Sequence, residues 1–521
     1  MISRQPIDND TQPRQRKDDA LTNLSLILAE SAQMYPEAIA LRCANTTTRY
    51  APLANQTAML ASYLGEIGIR PGDRVGMMLP NTAVFALIYY GILHAGAIVV
   101  PMNPLQSGRE VEHFLSNTSA RVLFAAPLDA AAAEGARAAG ARYIAVDDSS
   151  VVSLIGGCAP RLHAASRSDD DTAVILHTSG TTGIPRGAEL TNGNLLRNQA
   201  ITALRLLHLG PDDVVMGCLP LFHAFGMTCG LNAAISTGAT LALLPRFTAE
   251  NALRTIATAK VTVFQGVPTM YSAMLAAAGG TESTGTNSLR VCISGGAALP
   301  VDVLHRFESR FGCVVLEGYG LSETSPVASF NHPDAQRKAG SIGTPIDGVQ
   351  MRIVDDSGQP VQPGRTGEIQ VRGHNVMKGY WGFPRATAAI VGGWFATGDI
   401  GRVDGDGYYF VVDRKKELIL RGGYNVYPRE IEEVLYQHPA VAEAVVVGIP
   451  HDTLGEEVGA AIVLEPGAKA TVEQLQAFVR ERVAAYKYPR RIWFVDELPK
   501  GPTGKLQRRS VHPPEQQEAP R

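Results

Sequence analysis

Ala173-Val174-Ile175-Leu176-His177-Thr178-Ser179-Gly180-Thr181-Thr182-Gly183-Ile184-Pro185-Arg186-Gly187 joins a short apolar run to a loop of hydroxyls and glycines. The run Ala173–Leu176 reads as a buried strand. Glycines at 180, 183 and 187 permit positive φ and let a ligand approach the backbone. Hydroxyls at 178, 179, 181 and 182 supply neutral donors, and Arg186 adds a permanent cation. That mixture suits the oxygens of a polyphosphate. The loop is not a Walker A sequence, because Gly183 is followed by Ile184 and Pro185 rather than by Lys and a hydroxyl residue. Taken alone, it is a phosphate-friendly turn after a strand.

Working outward, short β-branched runs alternate with helical patterns. Strands are predicted at Arg74–Met78, Val122–Ala125, Thr240–Leu244, Val261–Phe264, Val291–Ser294 and Val314–Glu317, with helices such as Ala249–Ala259 and Val301–Phe311 between them. This alternation predicts an α/β class with layered, largely parallel sheets. After about residue 340, Val349–Asp355, Gly367–Val371 and Gly407–Val412 read as strands joined by close turns, an antiparallel or barrel-like piece. The last stretch reads as a small α+β unit: helix Pro428–Gln437, strands Val441–Gly448 and Val458–Leu464, helix Val472–Ala485 and strand Arg491–Phe494. The expected organisation is an arm at 1–19, a large N-terminal domain at 20–414, a small C-terminal domain at 415–510 and a tail at 511–521. The polar, charged arm reads as disordered rather than as a signal peptide.

Composition narrows the classes. The chain has 521 residues, too many for one ordinary core, and a formal net charge of -3 that gives no electrostatic case for nucleic acid. Its six cysteines (Cys43, Cys158, Cys218, Cys229, Cys292 and Cys313) form no C-x-x-C pair, which fits a reducing, cytoplasmic compartment. The apolar stretch Ala83–Met102 approaches bilayer length, yet His94, Gly91, Gly96 and Pro101 interrupt it. A buried helix Ala83–His94, a turn at Ala95-Gly96 and a buried strand Ala97–Val100 account for it without a transmembrane segment; peripheral membrane contact stays open.

Several further strings recur in one order. They are Leu219-Pro220-Leu221-Phe222-His223, Ser294-Gly295-Gly296-Ala297, Glu317-Gly318-Tyr319-Gly320-Leu321-Ser322-Glu323-Thr324, Ala396-Thr397-Gly398-Asp399, Asp413-Arg414-Lys415-Lys416 and Pro502-Thr503-Gly504-Lys505. With the loop at 178–187, they resemble the adenylate-forming superfamily of acyl-CoA synthetases, peptide-synthetase adenylation domains and firefly-type luciferases. The resemblance runs from about residue 23 to 507. It departs at Arg186, where the family pattern has Lys, so that a planar fork replaces a point charge.

The resemblance implies a large N-terminal α/β portion with a distorted barrel and a small mobile C-terminal domain. ATP or AMP would be held by Thr178, Ser179, Gly180, Thr181, Thr182, Gly183, Gly296, Ala297, Glu317, Gly318, Tyr319, Gly320, Ser322, Asp399 and Arg414. Within that set, Tyr319 would stack on adenine, and Asp399 would accept the ribose hydroxyls with Arg414 as helper. Thr178 and Glu323 would hold Mg²⁺, a hard ion that prefers oxygen ligands. Arg186 and Lys505 would stabilise charge developing at the phosphates. The hinge would be Lys416. The acyl pocket would include His223, Phe225, Val267 and Gly295, and the CoA tunnel Gly422, Gly423 and Tyr424. His177 stands where Tyr is common and is given no role.

The implied reaction is ATP-dependent activation of a carboxylic acid, a medium- or long-chain fatty acid, to acyl-AMP and then transfer to CoA. Alternatives are an aromatic or short-chain acid, and a carrier-protein phosphopantetheine as acceptor. A catalytically inactive binding module would predict loss of Lys505, Glu323 or Asp399, and all three are present. Oligomeric state stays open, with a homodimer as one form.

Overall fold

The computed structural model describes residues 22–178, 185–278, 285–414, 417–422, 424–451, 453–501 and 506–514. Two large sheets carry the first part of the chain. One has seven strands in the spatial order Gly379–Tyr380, Arg186–Thr191, Thr172–Thr178, Ile98–Pro101, Arg74–Met78, Val122–Ala125 and Arg142–Ala145. Its centre is parallel, and Thr172–Thr178 turns back antiparallel against Arg186–Thr191, so the hydroxyl-rich loop is the connection of a hairpin.

The second sheet has nine strands, with Val214–Gly217, Val263–Gly266, Val291–Ser294 and Val314–Gly320 side by side and parallel. Antiparallel strands flank it at both ends. These strands are buried almost without interruption, as in Val263–Gly266 and Val291–Ser294, rather than in an alternating pattern. One continuous apolar cluster joins the two sheets through residues such as Val99, Val174, Leu176, Val215, Val263, Ile293 and Leu316.

The apolar stretch at 83–102 resolves as read from sequence. Helix Ala83–His94 is buried from Val84 to His94, the chain turns at Gly96 with φ +78°, and Ile98–Pro101 is a central strand. No described helix is long and apolar enough to cross a membrane. All six cysteines are free thiols, and the described residues hold no metal-binding group of three or more His, Cys, Asp or Glu.

The antiparallel piece is a five-stranded sheet in which Trp394–Val403 pairs with Gly367–Gly373, Ile390–Val391 and Tyr409–Arg414. A further five-stranded sheet carries the C-terminal stretch, built on the long hairpin Val441–His451 with Gly455–Leu464 and covered by helices Pro428–Tyr436 and Val472–Arg480. It has its own apolar core around Ile431, Leu435, Val446, Ile462 and Leu475. The second helix is shorter than the predicted Val472–Ala485. Arg482 folds its guanidinium back onto the Phe478 carbonyl and ring, occupying a carbonyl of the last turn.

Candidate active site

The site residues gather at the carboxyl ends of parallel strands, where open α/β sheets place ligands. Thr178 ends its strand, and Val314–Gly320 of the other large sheet delivers Glu317, Gly318, Tyr319 and Gly320. Glu323 follows on a single 3-10 turn, Ser322–Thr324, beside Ser322.

The first cluster forms around Glu323. Its Oε1 lies 3.3 Å from the Thr178 hydroxyl and accepts the Tyr380 hydroxyl at 2.9 Å. Burial and the facing carboxylate push the Tyr380 phenol up, which keeps it a donor. Arg186 stands over the same ring, its guanidinium carbon 5.8 Å from the Tyr380 centroid. A carboxylate, two hydroxyl oxygens and an adjacent guanidinium match the chemistry of a hard divalent cation carrying phosphates. Thr178 and Glu323, predicted as metal ligands 145 residues apart, are therefore brought together.

A second cluster forms around Asp399. The Tyr319 hydroxyl donates to Asp399 Oδ2 at 2.6 Å, and Arg414 Nε lies 3.3 Å from Oδ1. Asp399 and Arg414 face each other in the antiparallel ladder, so the pairing is built into the strand register. Gly398, at φ +75°, makes the bend that presents Asp399, and its N–H donates to Glu368 Oε1 at 3.0 Å. The Asp399 N–H is held by Thr397 Oγ1 at 3.1 Å. The ring expected to stack on adenine is thus tethered to the carboxylate expected to take the ribose. Each carboxylate oxygen keeps a second lone pair for a ribose hydroxyl.

Tyr319 can lie in this place because its neighbour is a glycine: a Cβ on Gly318 would overlap the Phe330 ring. Glu317, beside it, is 2 % exposed. Its Oε1 accepts the Leu299 N–H at 3.0 Å, while Oε2 has no partner among the described residues. Burial pushes this carboxyl up to about 7, against the lowering effect of the Leu299 hydrogen bond and of Arg429. Gly296 and Ala297 are exposed on the loop after the strand Val291–Ser294, and Gly295 is buried with the Phe225 ring beside it.

Phe225 opens a π-helical segment, Phe225–Asn232, a rare conformation that concentrates at functional sites. The His223 side chain is exposed just before it. Val267 is buried beyond the strand Val263–Gly266. His177 has a structural role: it stacks on Phe114 with centroids 4.0 Å apart and bonds Asn117 through Nε2 at 3.2 Å. Burial pushes its imidazole down to about 3, so it stays neutral.

Tyr380, Glu368, Phe114 and Asn117 escaped the sequence reading. The only available signal was for Tyr380, an aromatic in the Gly379–Tyr380 strand that extends the edge of the loop hairpin. Gly422 turns at φ +57° against Leu454, and the exposed Tyr424 stacks on Tyr486 at 4.7 Å; these contacts lie within the C-terminal unit. Ser179, Gly180, Thr181, Thr182, Gly183, Lys416, Gly423 and Lys505 lie outside the described residues.

A strand-end crevice with hydroxyls, a carboxylate cluster and a tethered tyrosine defines a nucleotide-dependent enzyme of the adenylate-forming class. Residues 28–381 match the AMP-binding enzyme family and residues 430–505 the AMP-binding enzyme C-terminal domain, and the chain belongs to this family. It is an AMP-forming acid–thiol ligase that uses ATP, Mg²⁺ and CoA. A long-chain-fatty-acid–CoA ligase of Bacillus subtilis (strain 168) is 36% identical over 530 residues, covering 94% of this chain and 94% of that protein. A feruloyl-CoA synthase of Amycolatopsis sp is 38% identical over 485 residues, covering 91% of this chain and 95% of that protein. Among solved structures, ATP-bound MatB from Rhodopseudomonas palustris superposes with a TM-score of 0.88 at 32% identity, covering 94% of this chain and 98% of the other. Apo MatB, with the same identity and coverage, gives 0.79.

Proposed function

We propose that the chain activates a medium- or long-chain fatty acid to its acyl-adenylate and passes the acyl group to the CoA thiol. The carboxylate attacks the α-phosphorus of ATP, the bond to the β-phosphate oxygen breaks, and pyrophosphate leaves. The thiol then attacks the carbonyl carbon and AMP leaves with its oxygen. A carboxylate is already ionised at neutral pH, so the protein's task is positioning and charge stabilisation rather than base catalysis.

Asp399, with Tyr319 and Arg414, would hold the ribose and adenine. Thr178 and Glu323 would hold Mg²⁺, which neutralises phosphate charge when bound. Arg186 and Lys505 would meet the charge that develops as pyrophosphate departs. Residues 20–414 and 415–510 would act as two bodies joined at Lys416, with Gly422, Gly423 and Tyr424 bordering the thiol's path. A free CoA thiol, rather than a carrier protein, is the acceptor in this reading.

The observation that carries the reading is the pair of clusters on Glu323 and Asp399, which would meet the phosphates and the nucleoside of ATP respectively. The fatty-acid choice rests on the likeness to long-chain-fatty-acid–CoA ligases over nearly the whole chain. A phenolic acid is the second reading, favoured by the feruloyl-CoA synthase likeness and by one feature beside the predicted acyl pocket. There Gln265 is buried, donates to the Cys229 carbonyl at 2.6 Å, and leaves its Oε1 without a partner among the described residues.

Pyrophosphate release measured over octanoate, laurate, palmitate, benzoate and ferulate, with CoA present, separates the two. A kcat/KM at least about 10-fold higher for a fatty acid than for ferulate supports the first reading, a difference of about 1.4 kcal/mol in transition-state binding. The reverse order supports the second.

A further inference from the structure

Arg508 lies three residues beyond Lys505, and its guanidinium is enclosed by three carboxylates from three segments. Nη2 meets both oxygens of Glu432, at 2.8 and 2.9 Å, on helix Pro428–Tyr436. Nη1 lies 3.1 Å from Glu417 Oε2 and 3.4 Å from Asp413 Oδ1. Asp413 is 1 % exposed and lies one residue before the end of the strand Tyr409–Arg414, which belongs to the sheet that carries Asp399. Glu417 and Glu432 lie on the other side of residues 415–416. One part-buried cation therefore spans the joint between the two parts of the chain.

Asp413 holds the far side by a second tie. Its Oδ2 accepts the Arg429 N–H at 3.1 Å, in the first turn of the helix that bears Glu432. The residues just ahead of Arg508 are tied back as well: the Gln507 N–H donates to the Pro499 carbonyl at 2.8 Å, and Lys500 and Leu506 form an antiparallel bridge. Asp413 in the nucleotide-side sheet thus contacts Arg508, whose backbone neighbours Gln507 and Leu506 make the ties at the base of the segment bearing Lys505. A planar fork reaches three acceptors where a single ammonium could not hold the same geometry. At equal identity and coverage, this chain superposes better on ATP-bound MatB than on apo MatB, with TM-scores of 0.88 and 0.79.

We propose that Arg508 is a positioning residue, a latch that ties the root of the Lys505 loop to Asp413 across the 415–416 joint and holds the orientation in which the adenylate forms. The proposal rests on the two-body reading given above. It assigns Arg508 to the first half-reaction alone, because the latch need not be closed while the thiol attacks.

The test compares the wild-type chain with R508Q, R508K and D413N in two assays. One is acid-dependent exchange of pyrophosphate into ATP with palmitate and ferulate; the other is thioester formation from supplied acyl-AMP and CoA. A catalytic cation displaced by an ångström costs about 100-fold, so R508Q is expected to lose about that factor in exchange kcat. Its KM for ATP should stay within about 2-fold of wild type, because Asp399 and Tyr319 are untouched. Thioester formation should also stay within about 2-fold, with R508K and D413N intermediate in exchange. Equal loss in both half-reactions, or unchanged exchange in R508Q, overturns the latch. Failure of both R508Q and D413N to fold, shown by far-UV circular dichroism, assigns the cluster to stability and overturns it as well. If the wild-type chain exchanges no pyrophosphate with any acid while binding ATP, the activity reading falls instead.

Discussion

Replacing Glu317 by Gln should change how the stability of this protein depends on pH. The wild-type carboxyl is buried in the middle of the strand Val314–Gly320, has a single hydrogen-bond donor at Oε1, and is pushed up to about 7 from the ordinary 4.5. Because the folded value is raised, the folded state holds its proton between about pH 4.5 and 7 while the unfolded state has released it. The stability linked to that proton is complete below the unfolded value and is lost as pH rises through the folded one. At 1.36 kcal/mol per unit, the loss is about 3 kcal/mol across the window. Gln keeps an acceptor for the Leu299 N–H and carries no titrating proton, so the variant lacks this component. Urea midpoints of both proteins at pH 5 and pH 8 measure it: the wild type should fall more than the variant on going to pH 8. Equal pH dependence in the two proteins would refute the raised titration and the burial argument behind it.

Other substitutions address the two clusters and the imidazole beside the loop. Glu323→Gln should weaken the Mg²⁺ dependence of pyrophosphate release, raising the half-saturating Mg²⁺ at least about 10-fold because a charged hard ligand becomes neutral; an unchanged Mg²⁺ titration would remove Glu323 from the metal site. Asp399→Asn should raise the Kd for AMP about 10-fold, a cost of about 1.4 kcal/mol, measured by calorimetry without any acid present. His177→Phe should lessen acid sensitivity. Burial lowers the folded imidazole to about 3, so wild-type stability is present above the ordinary 6.5 and is lost as pH falls through the folded value. Urea midpoints at pH 4.5 and 7.5 should therefore differ less in the variant.

Much of the architecture was legible from local pattern. Helices Ala83–His94, Ala249–Ala259 and Val301–Phe311 and strands Arg74–Met78, Val122–Ala125 and Val291–Ser294 run where the sequence predicts them. Each is a periodic or β-branched run closed by turn residues, so no distant contact is needed to fix it. The helix predicted to reach Ala485 stops at Arg480 because Arg482 turns back on Phe478, a side-chain interaction that periodicity does not register. The π-helical turn at Phe225–Asn232 is likewise invisible to a pattern search tuned to 3.6 residues per turn.

The site was legible where a motif carries its residues contiguously, as in 317–323. It was illegible where function arises from register and long-range pairing. Tyr380 reaches Glu323 across 57 residues, and Arg508 reaches Asp413 across 95. Nothing in either segment's composition marks its partner. The tether between Tyr319 and Asp399 shows the same limit, since both residues were expected in the site but their hydrogen bond follows only from the folded sheets.

Product analysis tests the central claim most directly. The chain is incubated with ATP, Mg²⁺, CoA and the best acid of the panel, and the nucleotide products are separated by ion-exchange chromatography. AMP and pyrophosphate formed in equal amounts, each dependent on the acid, with acyl-CoA matching AMP, is the result predicted from the Glu323 and Asp399 clusters. ADP and inorganic phosphate as the acid-dependent products would contradict it, because attack would then fall at the γ-phosphorus and not at the α-phosphorus.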